Sequence, residues 1–182
     1  MMFAALVCSA AGAQPRTIDA AKSTMTIHVY KTGMLSALGH DHEISAALAS
    51  GTVDIAERKV ELTVNAATLR VQDPKASGKD REEVQANMLG AAVLDVENHK
   101  EIRFHSTAAD PAGPGIWKLR GDLTLRGTTH PVALDVHERD GHYVGTCRLN
   151  VTDFDIKPIK AAGGAIRVKD EIAIDFDIQL VR

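Results

Sequence analysis

Residues 121–137, GDLTLRGTTHPVALDVH, hold two runs of alternating character separated by a tight break. In the first, Leu119, Leu123 and Leu125 share one parity, while Arg120, Asp122, Thr124 and Arg126 take the other. In the second, Val132, Leu134 and Val136 alternate with Ala133, Asp135 and His137. Successive side chains of a strand point to opposite faces, so this period predicts two half-buried antiparallel strands. The break at 126–131 supplies Gly127 for a positive φ, and Pro131 is expected as the first residue of the second strand, where no ladder donor is lost.

The same period recurs along the chain. Residues 23–31 set Met25, Ile27 and Val29 against Thr24, Thr26, His28 and Tyr30, a first strand with His28 on the solvent side. Second and third strands are expected at 40–46 and 51–55. At 59–71, Val60, Leu62, Val64 and Ala66 oppose Glu61, Thr63 and Asn65. The period then changes: Ser77 to Asp80 has capping-box spacing, and 80–89 is expected as a short helix ending at Gly90. Strands resume at 101–107, 116–126, 131–138, 142–152 and 171–181, with a Pro/Gly turn at 110–115. In the last strand Ile172, Ile174, Phe176, Ile178 and Leu180 alternate with Glu171, Ala173, Asp175, Asp177 and Gln179. Segments 33–39, with Met34, Leu35 and Leu38, and 153–169, with Pro158 and an Ala-Ala-Gly-Gly run, read as loops. Eight or nine strands and one helix, with no fixed-period repeat, predict an all-β sandwich or closed barrel. An eight-stranded barrel is wide enough either to fill with side chains or to hold one small ligand.

Composition narrows the function. The 182 residues fit one domain, and a formal charge of −3 with no basic stripe argues against a nucleic-acid partner. The N-terminal MMFAALVCSAAGAQ is an apolar run ending in small residues at 11–13, so residues 1–13 are expected as a signal peptide, cut short at its own N-terminus because no Lys or Arg precedes the apolar run. No stretch is long enough to span a bilayer as a helix. Export would place the protein in the periplasm or outside the cell. Loss of the leader removes Cys8 and leaves Cys147 alone, sharing parity with Leu149 and Val151 as a buried thiol.

Several short pieces occur together in a telling order: Ile18-Asp19 and Ser23-Thr24, Asp95-Val96-Glu97 before Ile102-Arg103-Phe104, and the hairpin pieces 121–127 and 131–136. Asp153-Phe154 and the Asp170-Glu171-Ile172 start of the last strand follow. On these residues the chain, over 17–182, resembles the YceI-like periplasmic proteins. That resemblance implies a lipocalin-like eight-stranded antiparallel barrel with one short helix, binding a polyisoprenoid lipid in a long apolar tunnel. The chain departs from the family where Gly39-His40-Asp41-His42-Glu43 replaces a glycine-rich strand, and where His99-Lys100-Glu101 replaces a Lys-Tyr-Pro bend.

Two constellations could carry chemistry. The first is the apolar parity set: Met25, Ile27, Val29, Leu62, Val64, Phe104, Trp117, Leu119, Leu123, Leu125, Leu134, Leu149, Phe176 and Ile178. It is either a solid core or the wall of a lipid cavity. With aromatics only 4% of the chain, few large rings exist to fill a barrel, which favours the cavity. The second is His40 and His42, two imidazoles on one strand face. They could ligate Zn²⁺ or Cu²⁺ with a third ligand from elsewhere, or meet solvent or a ligand headgroup at a barrel mouth. Lys118, Arg120, Asp122 and Arg126 read as a solvated face. Lys157, Lys160, Arg167 and Lys169 are either solubilising or turned to an anionic headgroup or membrane surface. No G-x-S-x-G elbow or local Cys–His signature is present, so no catalytic residue is expected. The expectation is therefore an exported, non-enzymatic carrier of an isoprenoid lipid such as a quinone or prenyl phosphate, with no cofactor. A periplasmic metal-binding protein using His40 and His42 is the alternative. A homodimer is compatible with either.

Overall fold

The computed structural model describes residues 14–33, 41–161 and 166–182 of the chain. The expected leader at 1–13, the apolar loop residues Met34, Leu35 and Leu38, and His40 lie outside them. The strands in chain order are β1 (Arg16–Thr17), β2 (Thr24–Thr32), β3 (His42–Ser45), β4 (Leu48–Asp54), β5 (Lys59–Asn65) and β6 (Arg70–Val71). After helix α1 (Gly78–Leu89) come β7 (Glu101–Gly113), β8 (Ile116–Leu125), β9 (Thr128–Arg139), β10 (His142–Asn150), β11 (Lys160–Ala161) and β12 (Ile166–Gln179).

The alternating hairpin is β8–β9, paired from Ile116↔His137 to Leu125↔Thr128. Its turn is only Arg126-Gly127, with φ of 51° and 77°. Two left-handed residues match the right-handed twist of the flanking strands, which is why so short a turn closes the hairpin. Pro131 is therefore not the strand's first residue but its fourth, opposite Asp122. Counting from the turn, that pair exchanges no hydrogen bonds, and β10 pairs β9 only from Asp135 onward. The missing N–H thus costs no ladder bond.

All pairings are antiparallel, and they run β1-β4-β5-β7-β8-β9-β10-β12-β2-β3-β6. A bridge from Ile18 to Leu180 ties the chain after β1 back to β12 and curls the sheet round on itself. Twelve strand segments in the described residues exceed the expected eight because two staves are broken. The chain turns at 19–23 between β1 and β2, and a register shift at Leu48/Ser50 lies just after β3 passes into β4. Counting each of those pairs as one stave restores eight, with β6 and β11 as short flaps beside β3 and β12.

Other expectations shift at their edges. The 59–71 strand ends at Asn65, whose side chain accepts from the Ala67 N–H and starts a single 3-10 turn. The turn expected at 110–115 is mostly strand, since β7 continues through Pro111 to Gly113. The loop expected at 153–169 holds a 3-10 turn at Val151–Phe154, then β11, and it yields to β12 from Ile166. Helix α1 starts two residues earlier than expected, behind Ser77, whose hydroxyl accepts from the Asp80 N–H at 3.1 Å. Gln85 of α1 accepts from the Val71 N–H and donates to Leu69 O, both at 2.9 Å, which covers the open edge of β6.

Buried Met88, Leu94, Phe154 and Ile156 pack with Leu125 and Leu149 and close much of the barrel end where β2 finishes and β12 begins. Arg126 fastens this closure, donating to Asp155 O and Ala91 O at 2.9 Å each. Its side chain is thus a clasp between segments rather than part of a solvated face.

Candidate functional site

The barrel is hollow. A cavity of about 770 Å³ runs inside it, within the range of small-molecule sites. All fourteen residues of the expected apolar set line it: Met25, Ile27 and Val29 from β2, Leu62 and Val64 from β5, Phe104 from β7, and Trp117, Leu119, Leu123 and Leu125 from β8. Leu134 of β9, Leu149 of β10, and Phe176 and Ile178 of β12 complete the set. Period two explains the gathering, since a curled sheet turns every second side chain inward. The opposite parity faces out. His28 Nε2 meets Asp175 Oδ2 at 3.0 Å, and Arg120 meets Asp110 at 2.7 Å, both on the outer wall.

The space exists because glycines take inward positions where large rings lie. Gly145 opposes Phe176 across β10–β12, and Gly121 sits beside Phe104. A methyl group on Gly121 would come within 2.5 Å of the Phe104 ring and 2.6 Å of His105 O. Each ring therefore occupies the space that a side chain at the glycine would need. The parity reading omitted these glycines because they carry no side chain to count. It also omitted Tyr143, which lines the cavity from β10 in step with Leu149, while Cys147 lines it on the parity the sequence assigned. Burial pushes the Cys147 thiol upward, as expected for a sulfur in an apolar wall, and also raises Tyr143.

The lining changes character at its two ends. One end is edged by Asp54, Ile55, Arg58 and Lys59 around the β4–β5 turn, with Glu138 from β9. The other has Tyr30, Lys31, His42, Lys157, Pro158, Ile159 and Arg167, with Asp80, Glu83 and Asn87 of α1. Polar groups thus collect at the rims, and the middle is hydrocarbon.

His42 sits at the second rim beside a buried carboxylate. Its Nδ1–H donates to Asp73 Oδ2 at 2.6 Å, and the Glu43 N–H donates to Asp73 Oδ1 at 2.7 Å. Asp73 is 1% exposed and holds the imidazole against the cavity wall. Nothing in the sequence pattern marked Asp73, because its partner lies on another element. For the metal alternative, His40 falls outside the described residues. Among those described, no three His, Cys, Asp or Glu side chains gather in a metal-binding group. His28, His105 and His142 each face a carboxylate on the outer wall, and His130 packs edge-on against Phe154. No helix of the described residues is long and apolar enough to cross a membrane.

Comparison with known proteins agrees with this geometry. A UPF0312 protein of Ectopseudomonas mendocina is 28% identical over 172 residues, covering 85% of this chain and 86% of that one. Another, from Vibrio parahaemolyticus, is 31% identical over 114 residues, covering 57% of this chain; there the match spans 56% of the relative's length. Among solved structures, BcnA of Burkholderia cenocepacia superposes with a TM-score of 0.65 at 17% identity, over 91% of this chain and 99% of that one. The Campylobacter jejuni YCEI protein gives 0.51 at 14% identity, over 76% and 81%. At these identities the structural matches speak for the fold. The YceI-like domain model matches residues 17–180, nearly the whole described barrel, and the chain belongs to the YceI-like domain family.

Proposed function

We propose that this protein is a non-enzymatic carrier that holds one polyisoprenoid lipid, of the quinone or prenyl phosphate type, inside its barrel, and that it works after export to the periplasm or beyond. The observation that carries the reading is the cavity itself: long, apolar along its middle, and polar only at its rims. A hydrocarbon chain suits such a slot because it has no polar atom to satisfy there. Each buried CH₂ gains about 0.8 kcal/mol, so a tail with roughly ten buried carbons gains ~8 kcal/mol before ordering costs. Membership of a family of binding proteins supports the same reading.

The test is extraction of protein purified from its native host, with mass spectrometry of what is released. One prenyl lipid per chain is the expected result. An extract without lipid, from protein that also takes up none when offered, would refute the proposal.

A further inference from the structure

The hairpin formed by β11 and β12 places like charges face to face. Lys160 of β11 is directly opposite Arg167 of β12, and the Val168 N–H donates to Ile159 O at 2.9 Å to hold that register. Lys157 and Lys169 flank this pair, and no acidic residue occurs from 157 to 169. All four cationic side chains are exposed. Among the described residues no carboxylate lies within ion-pair reach of Lys157, Lys160 or Lys169, and Lys169 Nζ rests 5.7 Å from the Tyr30 ring centre. Within this charged group Ile159 is 40% exposed, one of only three large apolar side chains so open among the described residues.

The hairpin also stands at the cavity's rim. Lys157, Pro158, Ile159, Arg167 and Val168 line it, whereas the carboxylates of the same rim, Asp80 and Glu83, come from α1. The protein as a whole carries −3, so an anionic surface has no general attraction for it. Among the described residues this lip sets Lys157, Lys160, Arg167 and Lys169 together with no acidic residue between them in the chain.

We infer that the β11–β12 hairpin docks this rim of the barrel on an anionic phospholipid bilayer, with Lys157, Lys160, Arg167 and Lys169 among the headgroups and Ile159 dipped below them. Cations with an exposed aliphatic side chain match the layered chemistry of a bilayer surface, polar anions over hydrocarbon. Docking there brings the part of this rim that the Met88–Ile156 closure leaves uncovered against the bilayer, so that a lipid enters without crossing water. That consequence rests on the carrier reading above; the docking itself does not.

The experiment is vesicle co-sedimentation of the whole protein, with phosphatidylcholine vesicles compared against vesicles also containing phosphatidylglycerol. Uptake of the fluorescent apolar probe N-phenyl-1-naphthylamine is measured in parallel. Each Lys or Arg held at an anionic surface is worth about fivefold in partitioning. The wild type is expected to sediment with the anionic vesicles and not the neutral ones, and to come off in high salt. Lys160→Glu/Lys169→Glu should weaken that binding at least about tenfold with probe uptake intact. The same charge change on the barrel wall, Lys118→Glu/Arg139→Glu, should leave it near wild type. Equal binding to both vesicles, no binding to either, or equal loss in both double variants would overturn the docking. A wild type that sediments as expected but excludes the probe would refute the carrier reading and leave the docking standing.

Discussion

Phe176 lies across Gly145, its directly opposed partner in the β10–β12 ladder, with Cζ only 2.7 Å from where a Cβ on Gly145 would be. The relationship keeps the lumen open. A larger residue at 145 leaves the ring nowhere to rest except the cavity.

Gly145→Ala should therefore destabilise the fold by about 1–3 kcal/mol, the usual cost of forcing an extra methyl into a packed site. It should also lower the capacity for an apolar probe. Denaturant titration checks the first effect and probe saturation the second. A variant as stable as wild type with full capacity would mean that both the ring and the Asp135 carbonyl, which the added methyl also meets, have room to move.

Leu123→Asp puts a charge into the apolar lining of the cavity, where the directly opposed side chain is the imidazole of His130, whose Nδ1–H is already taken by the Pro131 carbonyl. An ionised carboxylate without a partner in such a place is strongly unfavourable. Retention of lipid should be lost. Because that variant can also fail to fold, Thr124→Asp, one residue away on the outer parity, serves as the control and should retain lipid. Retention by Leu123→Asp with loss in Thr124→Asp would show the faces to be reversed.

The Asp73–His42 pair should be structural as well as positional. Asp73→Ala removes the acceptor of both the Glu43 N–H and the imidazole, and leaving such donors unsatisfied costs about 1–3 kcal/mol. Asp73→Asn keeps an oxygen for Glu43 and should lose less. Urea unfolding of the two variants separates these effects; equal losses would mean that the Glu43 contact contributes little.

Cys147 offers a chemical probe of the lumen. Its thiol is pushed up by burial, so at any pH below its ordinary titration range less thiolate is present than in the unfolded chain. Alkylation by iodoacetamide at pH 8 should be slow in the folded protein and fast in denaturant. A bound apolar ligand should slow it further, since Cys147 lines the cavity. Ligand-independent labelling at the unfolded rate would place the sulfur in solvent.

The alternating strands were readable because each has one buried face, so register and parity are the same information. Residues such as Leu123, Leu134 and Phe176 could be assigned to the interior before any pairing was known. The extension of β7 through Asp110 and Pro111 was not readable, because four exposed residues in a row carry no alternation and the pairing comes from β8. The β11–β12 flap was hidden by an Ala-Gly-Gly run that looks like plain loop. Asp73 was hidden for another reason: the side chain it bonds is His42, 31 residues away. The hollowness itself was only half legible. A scarcity of aromatics argued for space, but the devices that keep it are glycines at inward positions, which alternation does not weigh.

The most direct measurement is a diffraction structure of protein carrying its co-purified lipid. The expected result is one continuous ribbon of density along the lumen, passing Leu123, Leu149 and Phe176 with its head at the rim edged by His42 and Arg167. Ordered water filling the lumen, or side chains collapsed across it, would contradict a lipid-carrying barrel.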